Sequence, residues 1–155
     1  MKSEENEIVT NNSQGREDVS EKNAISKEKF DELIKSTAPI TKTLTVNKDN
    51  FRGEVTFSFW WANQGGIFYC YSSQYRITRL NGQQGGNKAN LHFSFDSLQW
   101  WGNDSPDAMW QDGAWHSYSR GGWIGANGRA RVYAKFVFDK SGSDPSAASE
   151  VWVDF

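Results

Sequence analysis

From Ile40 to the last residue, apolar side chains recur at every second position in short runs, and no other feature limits the fold as severely. In ITKTLTV, Ile40, Leu44 and Val46 share one face while Thr41, Thr43 and Thr45 share the other. EVTFSFWW sets Val55, Phe57, Phe59 and Trp61 against Thr56, Ser58 and Trp60. LHFSFD sets Leu91, Phe93 and Phe95 against His92, Ser94 and Asp96, and RARVYAKFVFD repeats the pattern with Val132, Ala134, Phe136 and Phe138. A period of two is the repeat of an extended strand, whose successive side chains point to opposite faces.

Turn formers punctuate these runs. Asn47-Lys48-Asp49-Asn50, Gly65-Gly66 and Asp112-Gly113 read as turns, and Asn127-Gly128 reads as a type I′ hairpin. Between IFYCY and YRITRL, Ser72-Ser73-Gln74 reads as a bulge, and NGQQGGNKAN as a mobile loop. The expectation is an all-β fold: an antiparallel β-sandwich, or a flattened barrel, of about eight short strands.

Residues 1-38 follow another grammar, with many charges and neither Trp nor Tyr. Such a segment cannot offset its chain entropy by burial, so it reads as a polar, largely disordered arm ahead of a β domain at 39-155. One stretch departs from this. Ser26 is placed to cap a short helix over 26-36 whose Phe30, Leu33 and Ile34 share a face; it reads first as a frayed helix in a linker, with a helix that docks on the β domain or a partner protein as the alternative.

The N-terminus lacks the apolar stretch of a secretory peptide, and no run approaches the roughly 20 apolar residues of a membrane span. A soluble, cytoplasmic protein is the default expectation, with release by a route other than a secretory peptide as the alternative. Cys70 is the single cysteine, which excludes an intrachain disulfide and leaves it as a small buried hydrophobe. A net charge of -2 without a basic stripe argues against nucleic acid as a partner.

Catalytic arrangements fare poorly. His92, Ser94 and Asp96 lie on one face of one strand in shared solvent, where alternate side chains stand about 7 Å apart, too far for a relay of hydrogen bonds. Asn103, Asp104, Ser105, Asp107 and Asp112 gather oxygen ligands in one loop without the spacing of a recognised calcium site. Trp101-Gly102-Asn103-Asp104 and Ser105-Pro106-Asp107 are superficially similar to the calcium-binding elements of C-type lectins. A glycine interrupts the first element, the order is reversed and the supporting cysteines are missing, so no membership follows. The expectation is a protein that is not an enzyme, with no cofactor and no metal site.

Eight tryptophans, all in the β domain, are the informative excess. In Trp60-Trp61 and Trp100-Trp101, alternation sends one ring of each pair outward, and an exposed indole marks a contact surface unless a loop or the arm covers it. Trp60, Trp100, Trp101, Trp110 and Trp123, with Arg76, Arg79, Gln99, Asn103 and Arg120 around them, are the candidate ligand-binding residues. Aromatic plates beside amides and guanidinium groups suit glycans and also lipid headgroups. The leading expectation is a non-catalytic, lectin-like module that binds glycans or another cell-surface ligand. The alternatives are a membrane-interacting component of a pore-forming or insecticidal-type toxin system, and a structural or assembly subunit.

Overall fold

The computed structural model describes residues 15–155. They form an all-β sandwich with one short helix. In chain order the strands are β1 (Glu17–Asp18), β2 (Ile40–Lys48), β3 (Phe51–Ala62), β4 (Ile67–Arg79) and β5 (Asn90–Asp96). They continue as β6 (Gln99–Asp104), β7 (His116–Ser117), β8 (Gly121–Gly125), β9 (Arg129–Val137) and β10 (Ser146–Asp154), and helix α1 is Lys27–Leu33. The first sheet runs β10-β9-β5-β6-β1 and the second β2-β3-β4-β7, with β8 also paired to β4. All pairings are antiparallel except that of β1 with β6. The surplus over eight comes from β1 and β7, two residues each, too short to show a period.

The inner faces meet in a core built mainly from phenylalanine. Phe51, Phe57, Phe68, Phe93, Phe95, Phe136 and Phe138 are fully buried. Along β4 the inward positions are Phe68 and Cys70 before Ser73, and Tyr75 and Ile77 after it. The change of phase is a bulge: Thr56 faces Gln74 and Phe57 faces Ser72, which leaves Ser73 as the extra residue. Ser72, fully buried at the kink, donates its hydroxyl to the carbonyl of Tyr118 at 2.6 Å and accepts from the Arg120 amide at 3.0 Å.

Asn127-Gly128 is not a hairpin. It crosses between sheets, since β8 pairs with β4 and β9 with β5 and β10. Gly128 has φ of +89°, and its amide bonds to the carbonyl of Gly65, so the crossover is tied to the Gly65-Gly66 turn rather than closed on itself. The glycine-rich loop after β4 is also fastened down. Lys88 donates its amide to Asp139 Oδ2 at 3.0 Å, and a Cβ on Gly86 would lie 2.4 Å from that same oxygen, so close packing rather than mobility demands glycine there.

From Gly15 onward the leader lies along the sandwich instead of standing off it as an unstructured arm. Its backbone does what its few apolar side chains cannot. The Val19 amide bonds to Trp100, the Ile25 amide to Gly121, and Ala24 bridges to Gly122, with Val19 fully buried. Glycine at 122 permits this, because a Cβ there would lie 2.3 Å from the Asn23 carbonyl. Ser26 caps α1 by accepting from the Lys29 amide at 3.1 Å. Phe30 then stacks on Tyr71 at 4.5 Å and lies 6.0 Å from Trp60. Residues 1–14 of the arm lie outside the described residues.

Phe30→Ala is expected to release α1 at a cost of about 2 kcal/mol, with the sandwich intact. Acrylamide quenching of tryptophan fluorescence should rise as Trp60 becomes wet; unchanged quenching would show that the helix does not shelter it.

Candidate functional site

Alternation places the paired tryptophans as the sequence implies. Trp61 and Trp101 turn inward, against Phe68 at 4.8 Å and Phe95 at 5.0 Å. Trp60 and Trp100 turn outward, yet neither is open to a ligand. Trp60 stacks on Tyr69 at 4.9 Å beneath Phe30, and Trp100 folds back over Gly102, where a Cβ would lie 2.1 Å from its ring. Trp60, Trp100 and Trp101 are therefore 8%, 6% and 3% exposed, which corrects the expectation that they form a contact surface. Trp123 is half-buried, with its amide bonded to the carbonyl of Asn23.

The exposed rings are Trp110, Trp115 and Trp152, at 53%, 38% and 47%. Two of them, Trp110 and Trp115, lie on the connection that leads into β7, the short strand beside β4. Arg76 projects outward from β4, and Glu54 opposite it on β3 takes Nε at 2.9 Å and Nη2 at 3.3 Å. This fork holds the guanidinium 4.5 Å from the center of the Trp115 ring. Within β7, His116 stacks on Tyr75 at 5.4 Å and lies 6.4 Å from Trp110. Tyr75 donates its hydroxyl to the Trp110 carbonyl at 3.3 Å, fixing the backbone that carries the most exposed of the three rings.

Asp112 completes the edge. Its carboxylate lies 2.8 Å from His116 Nε2 and accepts from the Ala114 amide at 3.1 Å, with Gly113 in the left-handed region at φ +77°. The hydrogen bond to His116 holds its carboxyl below the usual range. A groove of about 180 Å³ adjoins it, lined by Thr78, Arg79, Gln111, Asp112 and Gly113. Of the residues singled out in the sequence, Arg76, Arg79 and Trp110 thus come together here. Trp115 and His116 join them from outside the candidate set, because β7 is two residues long and the connection before it is irregular, so periodicity carries no signal there.

The other candidates hold the fold together. Gln99 donates to Glu17 Oε1 at 2.8 Å and accepts from the Gly125 amide at 2.8 Å, joining the leader, β6 and β8. Asn103 accepts from the Tyr118 hydroxyl at 2.7 Å. Arg120 lies 5.9 Å from the Tyr118 ring and donates to the Ser119 carbonyl. Burial pushes the Tyr118 hydroxyl well above its ordinary value. The neutral phenol is the form the fold accommodates, so its contribution is whole below the unfolded value near pH 10 and is lost as pH climbs toward the raised folded value. Urea titrations above pH 10 should show stability falling with pH, and Tyr118→Phe should make that slope shallower; an identical slope would contradict this role.

Ser94 and Asp96 are buried, at 2% and 3%, so they do not share the solvent expected of them alongside His92. Arg16 and Arg131 both bind Asp96, and Trp100 covers the neighbouring Gly102. His92 bonds Asp104 at 2.7 Å, the leading cause that holds the Asp104 carboxyl below its usual range. The carboxylates of the 103-112 loop have separate partners: Asp104 has His92, Asp107 has Asn90 at 2.6 Å, and Asp112 has His116. Among the described residues no three His, Cys, Asp or Glu side chains are grouped to hold a metal ion. No helix among them is long and apolar enough to cross a membrane.

Comparison with known proteins leaves the chain without a family. No family model and no curated protein matches it. One solved structure, the variable (V) domain of the AgI/II polypeptide BspA of Streptococcus agalactiae, is loosely similar, with 8% identity over 76% of this chain and 77% of that one. The TM-score is 0.26, a likeness too loose to bear on fold or function.

Proposed function

We propose that the chain is a non-catalytic, lectin-like recognition module that binds a glycan through the edge formed by Trp110, Trp115, Arg76, Asp112 and His116. One observation carries this reading: two indoles stay exposed at one edge, while the side chains around them are locked in place. An open, rigid aromatic plate loses little conformational entropy on binding. The CH face of a sugar stacks on indole, and its hydroxyls donate hydrogen bonds to the free imidazole nitrogen and to the carboxylate at the same edge. Arg76 is neutralised by Glu54, so the edge favours a neutral glycan over an anionic headgroup.

The test is a glycan array followed by titration of any hit against Trp110→Ala and Trp115→Ala. Each substitution should weaken binding about tenfold, or about 1.4 kcal/mol, without changing the melting temperature. A blank array together with binding to vesicles would overturn the glycan reading, and hits indifferent to both substitutions would overturn the site.

A further inference from the structure

On the first sheet, away from the edge just described, a groove of about 400 Å³ is lined by Arg16, Asp96, Ser97, Leu98, Asn127, Arg129 and Trp152. We propose that this groove is a second ligand site, one that takes a carboxylate-bearing sugar of the hexuronate class. Its volume lies within the range of small-ligand sites and is enough for one or two sugar rings.

The polar chemistry of the groove is one-sided. Acceptors on its floor are already occupied: Asp96, 3% exposed, takes Arg131 Nε at 3.0 Å on one oxygen and Arg16 Nη1 at 3.3 Å on the other. Arg16 Nε bonds to the Ser97 carbonyl, and the Ser97 hydroxyl donates to the Arg129 carbonyl at 2.6 Å. Asn127 Oδ1 is taken by the Ser97 hydroxyl at 3.1 Å, so what the lining offers a ligand is chiefly donors: the outer guanidinium nitrogens of Arg16 and Arg129 and the Asn127 Nδ2 group. Arg129 is held over Trp152, 4.8 Å from the ring, and pairs only loosely with Asp154 at 3.5 Å. Guanidinium groups so presented match a carboxylate, with two parallel hydrogen bonds available.

A simple anion would leave the rest of the groove unused. Leu98 and Trp152, at 57% and 47%, are among the most exposed large apolar side chains of the described residues, and both line it. Glu150 takes the Trp152 Nε1 hydrogen at 3.1 Å, which fixes the ring as a wall. An acidic sugar satisfies both halves, with its carboxylate on the guanidinium groups and its CH face against Leu98 and Trp152. This site rests on its own cavity and stands whether or not the Trp110–Trp115 edge binds a glycan.

The experiment is isothermal titration of the full chain with trigalacturonate, with maltotriose as a neutral ring control and acetate as a ringless anion. Trigalacturonate should bind with Kd of about 1 mM or tighter, weakening as salt rises. Arg129→Gln and Trp152→Ala should each weaken it fivefold or more, while Trp115→Ala should leave it unchanged. Arg129 is exposed, and its ion pair contributes little to folding, so Arg129→Gln should keep the parent melting temperature. The proposal fails if maltotriose or acetate binds as well as trigalacturonate, or if Arg129→Gln binds like the parent. It fails equally if Trp115→Ala abolishes binding, which would place the acidic sugar at the other edge.

Discussion

Gln111→Leu is expected to lower the folding free energy by about 3 kcal/mol. Gln111 is 1% exposed and every polar atom of its carboxamide is in use. Nε2 donates to the carbonyls of Gly86 at 2.8 Å and Asp139 at 2.9 Å, while Oε1 accepts from the Asp139 amide at 2.9 Å. Its own amide donates to Asn87 Oδ1 at 3.0 Å. One side chain thus joins the loops that follow β4, β6 and β9. Leucine fills nearly the same space but takes the partner from three backbone groups, the carbonyl of exposed Gly86 and the carbonyl and amide of half-buried Asp139, at roughly 1 kcal/mol each. A domain of this size is stable by about 5–15 kcal/mol, so the loss should be plain in a urea midpoint. Gln111→Glu keeps the acceptor and loses the donors, so it should also destabilise the protein.

A second large effect is expected at Asp96. It is the buried meeting point of β5, β9 and the leader, since Arg131 belongs to β9 and Arg16 to the leader. Asp96→Ala should cost about 3 kcal/mol, because it removes the buried carboxylate that ties two partly exposed guanidinium groups to the sheet. Arg131, 18% exposed, keeps only Glu150 at 3.2 Å, and Arg16 loses its hold on the sheet. Asp96→Asn keeps the shape and some hydrogen bonding, and should fall between parent and alanine. Equal stability of all three proteins in urea would contradict the assignment of Asp96 as a charged tie.

How much of this was readable in advance depends on how local the cause is. Strand alternation is set by the backbone of each run, so the inward Phe57, Phe93 and Phe136 were legible, and so was the bulge at Ser73, where the inward phase changes. The cover over Trp60 was not, because Phe30 lies thirty residues earlier in a segment whose composition argues against packing. Backbone pairing by Val19, Ala24 and Ile25 supplies what that composition lacks, and no side-chain pattern encodes it. Asn127-Gly128 misled for a related reason: a turn dipeptide states that the chain bends, not which sheet it bends into. At the candidate site, Arg76 and Trp110 stood out by residue type, whereas Trp115 and His116 depend on how the connection between β6 and β8 folds over β4.

Recognition at the β7 edge depends on which indoles meet water: Trp110, Trp115 and Trp152, and not the outward-facing Trp60 and Trp100. Fluorine NMR of protein labelled with 5-fluorotryptophan, with each resonance assigned by single substitution and a soluble paramagnetic agent added, measures this ring by ring. The expected result is strong broadening at Trp110, Trp115 and Trp152, and little at Trp60, Trp100 and Trp101. Broadening of Trp60 and Trp100 as strong as that of Trp110 would contradict the sheltering leader and, with it, the placement of recognition at the β7 edge.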